Sequence, residues 1–187
     1  MAADRVEEAF AAVPRRWFLP RSQRHRASYD GPIGIGHGQT NSQPRTVENM
    51  LRLLDVRPGQ RVLDVGSGSG WTTGLLAHLT GERGSVLGLE LVPELVTYGA
   101  RNLAKGAWPW ARIEQARPGV YGDPGGAPYD RILVSAGAEE LPAGLVEQLA
   151  PDGRLVVPVA GQMLLVENAA GGVRMSQHGL YRFVPLV

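Results

Sequence analysis

The spacing of hydrophobic positions changes several times along the chain. Val6, Ala9, Phe10 and Val13 fall at helical intervals and Pro14 interrupts them, which predicts a short amphipathic helix over residues 4–13. From Trp17 to Gln43 there is little periodicity and much Gly and Arg. A stretch of that length is too long for an ordinary connector and is expected to be functional. Pro44 suits a first helical residue, and Val47, Met50, Leu51 and Leu54 then mark one apolar face. After Pro58-Gly59 comes a short β-rich run, residues 61–65, which opens into Gly66-Ser67-Gly68-Ser69-Gly70. Residues 71–77 return to helical character, so the unit reads as strand, glycine loop, helix.

The alternation continues with strands expected at 85–90, near 111–116, at 131–135 and at 154–159. Helices are expected over 93–105, with Gly106 as the stop, and over 142–149. Two β-rich runs around the turn Ala169-Ala170-Gly171-Gly172, the second reaching Leu186, predict a closing antiparallel hairpin. Parallel strands need a crossover between them, so this order implies an α/β fold: a doubly wound, mainly parallel sheet with helices on both faces. With no internal repeat or linker, residues 1–187 are expected to form one domain. Within it, 1–44 would supply an N-terminal helix and a substrate or lid loop, and 45–187 the ligand-binding core.

Ligands of open α/β sheets bind at the carboxyl ends of the strands, where strand order reverses. Three glycines at alternate positions let the backbone turn tightly and let a ligand approach the peptide groups. Glu90 closes the second strand, where a carboxylate can accept bonds from two ribose hydroxyls. Position 71 is Trp where a dinucleotide fingerprint wants glycine, and the Gly-Lys-Ser/Thr of a phosphate-cradling loop is missing. The bland alternative is a sharp connection beside a solvated strand end.

The run Val62-Leu63-Asp64-Val65-Gly66-Ser67-Gly68-Ser69-Gly70 resembles the S-adenosylmethionine (SAM) motif of Rossmann-like methyltransferases, whose cofactor carries ribose and an amino-acid end but no phosphate. Upstream, Ile35-Gly36-His37-Gly38-Gln39-Thr40-Asn41-Ser42-Gln43-Pro44 is similar to the Gly-Gln-Thr-Ile-Ser-Gln-Pro signature of bacterial isoaspartyl methyltransferases, with Asn41 where isoleucine is usual. Pro128-Tyr129-Asp130, the run from Leu149 to Val159 and Arg182-Phe183-Val184-Pro185-Leu186 extend the similarity through nearly the whole chain. The chain thus resembles the protein L-isoaspartyl (D-aspartyl) O-methyltransferase family.

The resemblance implies SAM as cofactor, bordered by Asn41, Asp64, Gly66, Ser67, Gly68, Gly70, Glu90, Leu91 and Gly119, with Glu90 on the ribose. It implies that Ser42 and Thr40 orient the free carboxylate of an isoaspartyl residue for methylation, with no covalent intermediate, and that the peptide lies extended along residues 182–186. Ser42 also adjoins a helix start, where serine caps backbone donors. His37 reads as structural rather than as a proton shuttle, and Trp108 and Trp110 as packing over the sheet edge.

One position departs from the family pattern: Arg117-Pro118-Gly119 stands where relatives carry Gly-Asp-Gly, whose aspartate accepts a bond from the adenine amino group. Proline offers no acceptor side chain, so one contact is lost unless Asp123 replaces it. That leaves two further readings: a non-catalytic SAM-binding or interaction domain, and a methyltransferase acting on aspartate of a ribosomally made peptide. A nicotinamide oxidoreductase is a more distant alternative.

Composition narrows the partners. No cysteine is present, which excludes disulfides, thiolate metal sites and a cysteine nucleophile. Nineteen Lys plus Arg against eighteen Asp plus Glu give a net charge of +1, far from the imbalance duplex nucleic acid requires. The cluster Arg15, Arg16, Arg21, Arg24, His25, Arg26 reads as a solvated basic surface in preference to a polyanion site. An acidic start and no long apolar run point to a cytoplasmic protein, away from membranes. The expected partner is a damaged protein or peptide, with no nucleic acid and no metal, and the expected state a monomer.

Overall fold

The computed structural model describes residues 4–186. Along the chain it contains α1 (Arg5–Ala12), β1 (Ile33–Gly36), β2 (Gln39–Asn41), α2 (Pro44–Leu54), β3 (Arg61–Val65), α3 (Trp71–Thr80) and β4 (Ser85–Glu90). There follow α4 (Pro93–Leu103), β5 (Ala111–Gln115), β6 (Tyr129–Val134), α5 (Ala143–Val146), β7 (Leu149–Val159), β8 (Gln162–Ala169) and β9 (Gly172–Leu180).

Strands that are apolar on both faces have to be covered on both, and β3, β4 and β6 are such strands. They sit inside a seven-stranded sheet of order β5-β4-β3-β6-β7-β8-β9. The first five are parallel, and β8 and β9 close the sheet antiparallel. Strand order reverses between β3 and β6, which opens a crevice at their carboxyl ends. Side chains alternate across β3. Val62 packs with Leu51, Leu54, Leu75 and Leu76 from α2 and α3, while Leu63 and Val65 join Ile132, Val134, Leu155 and Leu145 on the other face. Helices therefore lie on both faces but unequally, since among the described residues the second face has only the four-residue α5.

Several boundaries differ from the sequence expectation. Residues 15–43 contain two 3-10 turns, Arg15–Phe18 and Arg21–Arg26, and a two-stranded hairpin, in which Ile33 and Ile35 are buried and Gly34 and Gly36 exposed. His37 and Gly38 turn this hairpin with φ of 54° and 73°, a structural place for the histidine. The expected 142–149 helix is shorter because Leu149 already pairs with Tyr129 in the sheet. The C-terminal run is no strand beyond Leu180. Instead Gly137 donates to Val184 O at 2.7 Å and accepts from Leu186 N at 2.8 Å. Trp108 and Trp110 pack on the core cluster, the latter donating to Ala77 O at 2.9 Å.

Arg15 corrects the basic-surface expectation, because its side chain is buried. Its guanidinium donates to Asn41 Oδ1 (2.6 Å) and to the carbonyls of Tyr29 (2.7 Å), Gly31 (2.8 Å) and Ser42 (2.9 Å). It also lies 5.4 Å from the centre of the Trp71 ring. Burial pulls its pKa down to about 10, so it stays charged at neutral pH. Beneath the glycine loop, Asp64 Oδ2 accepts from Thr72 Oγ1 and Thr73 Oγ1, both at 2.7 Å, and ties β3 to the start of α3. Burial pushes this carboxyl up to about 6, with the Glu90 charge adding to the rise and the two threonine hydroxyls opposing it.

Two outcomes are expected. Arg15→Lys leaves buried carbonyls without donors and should cost about 2–4 kcal/mol in urea unfolding, with faster amide exchange across residues 29–42. A loss under about 1 kcal/mol would show that this segment does not depend on the guanidinium. For Asp64, the folded state holds the proton more tightly than the unfolded chain, whose carboxyl titrates near 3.8. Its contribution therefore favours folding below that value and declines as pH rises to about 6. The stability of the native protein minus that of Asp64→Asn should thus drop by about 1–3 kcal/mol from pH 4 to pH 7. A difference that ignores pH would contradict the raised pKa.

Candidate active site

The crevice floor is the turn from β3 into α3. Gly66, Gly68 and Gly70 adopt φ of 79°, 52° and 87°, a region that side chains other than glycine's rarely adopt. Gly66 N and Ser67 N both donate to Leu89 O, at 2.9 and 3.0 Å, which locks the loop to the end of β4. At Gly70 a Cβ would lie 2.9 Å from Ile113 Cδ1 and 3.0 Å from Gly99 O, so only glycine allows α3 and α4 to approach this closely.

Glu90 is buried beside this floor and holds both sides of the turn. Its Oε2 accepts from Gly68 N and its Oε1 from Val92 N, each at 2.9 Å. A carboxylate offers about four lone-pair sites, so each oxygen keeps capacity for a further donor from the crevice it lines. Ser67 also lines the crevice, and its buried hydroxyl has no hydrogen-bond partner among the described residues. A buried carboxylate with spare acceptor capacity at Glu90, an unfilled polar atom at Ser67 and the lack of Lys or Arg on the loop suit the ribose and amino-acid parts of SAM. They do not suit a phosphate.

The roof is the segment Gln39–Ser42. Asn41 Oδ1 takes the bond from Arg15, and its Nδ2 donates to Ser69 Oγ at 3.1 Å, so one side chain joins roof to floor. Ser42 does not cap α2: the cap position is Gln43, without a side-chain bond, and Arg45 N is met by Asp30 Oδ1 at 3.1 Å. Val184, Pro185 and Leu186 form a third wall, and Ser135 and Ala136 also line the crevice.

The crevice encloses about 980 Å³ including its mouth. A second cavity of about 1520 Å³ lies against it, bordered by Gln43, Arg45, Asn49, Tyr181, Arg182 and Phe183. Thr40, Ser42, Ser135 and Val184 line both. The two spaces therefore meet at Thr40 and Ser42, the pair singled out in the sequence, together with Ser135 and Val184. Two arginines border the second space, Arg45 lying 3.3 Å from Asp30.

Of the sequence-predicted residues, Thr40, Asn41, Ser42, Gly66, Ser67, Gly68, Glu90 and Leu91 line the crevice. Three do not. Asp64 faces α3 below the loop, because strand alternation places it on the side of Val62. Gly70 is consumed by helix packing, and Gly119 is exposed on a turn outside the crevice. Asp123 does not replace the lost acceptor, since it does not line the crevice and its Oδ2 faces Tyr129 OH at 2.7 Å. Sequence reasoning missed Ser135 and Ala136, although a strand across the switch point from β3 should have flagged them. It also missed Val120 and Tyr121, for which no sequence signal exists.

A model of the protein-L-isoaspartate(D-aspartate) O-methyltransferase family matches residues 1–187. The protein-L-isoaspartate O-methyltransferase of Methanopyrus kandleri is 43% identical over 190 residues, covering 99% of this chain and 84% of its own. That of Aeropyrum pernix is 45% identical over 188 residues, covering 98% of this chain and 72% of its own. A solved protein-L-isoaspartate O-methyltransferase superposes with a TM-score of 0.89 at 25% identity, over 99% of this chain and 62% of that one. A Plasmodium falciparum beta-aspartate methyltransferase, solved with S-adenosyl-L-homocysteine, gives 0.84 at 29% identity, over 100% of this chain and 92% of that one. No helix of the described residues is long and apolar enough to cross a membrane. With the family model running the full length of the chain, and curated relatives matched over most of their own length, this chain belongs to the protein-L-isoaspartate(D-aspartate) O-methyltransferase family.

Proposed function

We propose that the crevice and the cavity beside it form the two halves of a carboxyl methylation site, which meet at Thr40 and Ser42. The reaction is transfer of the SAM methyl group to the free carboxylate of L-isoaspartyl or D-aspartyl residues in damaged proteins or peptides, giving a methyl ester for repair. The observation that carries this reading is the shared border: Thr40 and Ser42 line both spaces, with Ser135 and Val184, so a carboxylate in the outer one would reach the inner one past them.

SAM, when bound, supplies a methyl group on a positively charged sulfur. An isoaspartyl carboxylate is ionised at neutral pH and is itself the nucleophile, so no general base is required. Thr40 and Ser42 donate to the carboxylate and aim one of its oxygens at the methyl carbon. Arg45 and Arg182, at the rim of the outer cavity, favour entry of an anion. The roof held by Arg15 and the wall of Val184–Leu186 keep water from the reacting atoms. Proximity and alignment then carry the rate. The crevice draws on residues from Gln39 to Leu186, which supports reading 1–187 as one methyltransferase domain. The near-balanced charge supports action on protein rather than on nucleic acid.

The decisive assay incubates the protein with labelled SAM and matched isoaspartyl and aspartyl peptides. Base-labile methyl ester on the isoaspartyl peptide is expected, and labelling of neither would overturn the reading. Ser42→Ala should lower kcat about 10- to 100-fold while affinity for S-adenosylhomocysteine and Tm stay unchanged. An unaltered kcat would remove Ser42 from the chemistry. Glu90→Ala should weaken S-adenosylhomocysteine binding by about tenfold or more in calorimetry, since two hydroxyls lose a charged acceptor. Equal affinity would mean that the ribose is held elsewhere.

A further inference from the structure

A carboxylate held from one element alone can still turn about the bond that joins it to its own chain. An oxygen that turns out of line with the methyl carbon cannot attack it. Thr40 and Ser42 both belong to the roof segment, so a second point of support has to come from another element.

The hydroxyl-bearing residues around the two spaces leave a short choice. Ser67, Ser69, Thr72 and Tyr121 line the crevice and not the outer cavity. Two of them are already committed: Ser69 Oγ accepts from Asn41 Nδ2 at 3.1 Å, and Thr72 Oγ1 donates to Asp64 Oδ2 at 2.7 Å. Thr46 and Tyr181 line only the outer cavity, where Thr46 Oγ1 donates to Gln43 Oε1 at 3.3 Å and Tyr181 OH accepts from Asn49 Nδ2 at 3.0 Å. Ser135 borders both spaces and stands outside the roof, alone in this among the described hydroxyl-bearing residues.

The backbone of Ser135 is fixed by the sheet. The residue follows β6 at the switch point, and its N donates at 2.9 Å to the carbonyl of Val65, the last residue of β3. Two residues on, Gly137 donates to Val184 O at 2.7 Å. Half-buried Ser135 is thus held between a central strand and the C-terminal wall, while Thr40 and Ser42 ride on a segment that Arg15 secures.

We propose that Ser135 is a third hydroxyl that touches the substrate: it donates to the carboxylate oxygen that does not attack, and so fixes the plane in which the other oxygen meets the methyl carbon. The proposal deepens the carboxyl-methylation reading and rests on it. The attacking oxygen supplies the electron pair of the new O–C bond. The S–C bond breaks with its pair left on sulfur, and Ser135 keeps its proton throughout. A donor on the non-attacking oxygen suits this transfer, because that oxygen becomes the ester carbonyl and still accepts afterwards. A donor on the attacking oxygen would compete for the pair that forms the bond.

The test uses the full chain and an isoaspartyl peptide that the native protein labels. Ser135→Ala should lower kcat about tenfold or more, and should weaken peptide binding to the S-adenosylhomocysteine-loaded protein about three- to tenfold in calorimetry. Affinity for S-adenosylhomocysteine itself should stay within about twofold. Ser135→Cys keeps the shape with a weaker donor and should be nearly as slow as the alanine variant. In the double variant Ser42→Ala/Ser135→Ala, the loss in kcat should be smaller than the product of the single losses by about threefold or more, since a carboxylate already free to turn has less alignment to lose. A Ser135→Ala protein with native kcat and peptide affinity, a cysteine variant as fast as the native protein, or losses that simply multiply would each overturn the proposal and leave the methylation reading intact. A fall in S-adenosylhomocysteine affinity as large as the fall in kcat would assign Ser135 to the cofactor and overturn it too. If the native protein labels no isoaspartyl peptide, the methylation reading fails and the proposal fails with it.

Discussion

A guanidinium taken out of water has to find partners for its N–H groups, and Arg15 finds them in the segment that roofs the crevice. The segment has little else to hold it down. Between residues 27 and 42 the buried apolar side chains are Ile33 and Ile35, too few to fix a short hairpin by burial alone. The bonds to Tyr29, Gly31 and Ser42 gather three separate points of the backbone onto one rigid planar group. Through Asn41 the same group reaches Ser69, so the height of the roof above the floor is set by polar contacts. The border between the two cavities inherits its position from that arrangement.

The floor of the site was legible in the sequence and the roof was not, for a physical reason. A strand, a tight turn and a helix leave local marks: a β-rich run, glycines where φ must be positive, a helical period. Residues 61–77 and Glu90 carry all of these. The hairpin of residues 33–41 is too short and too polar for a period to emerge, and what secures it is an arginine far upstream. Arg15 stands in sequence among five other basic residues, so its neighbours disguise it; only the carbonyls of a later segment make it a buried group.

Asp64 and Gly70 teach a different lesson. Both belong to the motif, yet a motif says which residues stand together and not which way each one faces. Asp64 shares the face of Val62, toward α3, and its work is to hold the helix start with Thr72 and Thr73. Gly70 serves the approach of two helices. Gly119 was carried over by position from a family pattern that this chain has already left at Pro118, and the wall there is built by its neighbours instead.

The third wall of the crevice is separated in sequence from its roof by most of the sheet. Gly137 clamps Val184 and Leu186 across the carboxyl end of β6, and these residues are synthesised long after the glycine loop. A nascent chain on the ribosome therefore exposes the floor well before it owns the enclosure. Competence arrives only once residues 184–186 have been translated, so a polypeptide that stops short of them has no sheltered place in which to spend a methyl donor.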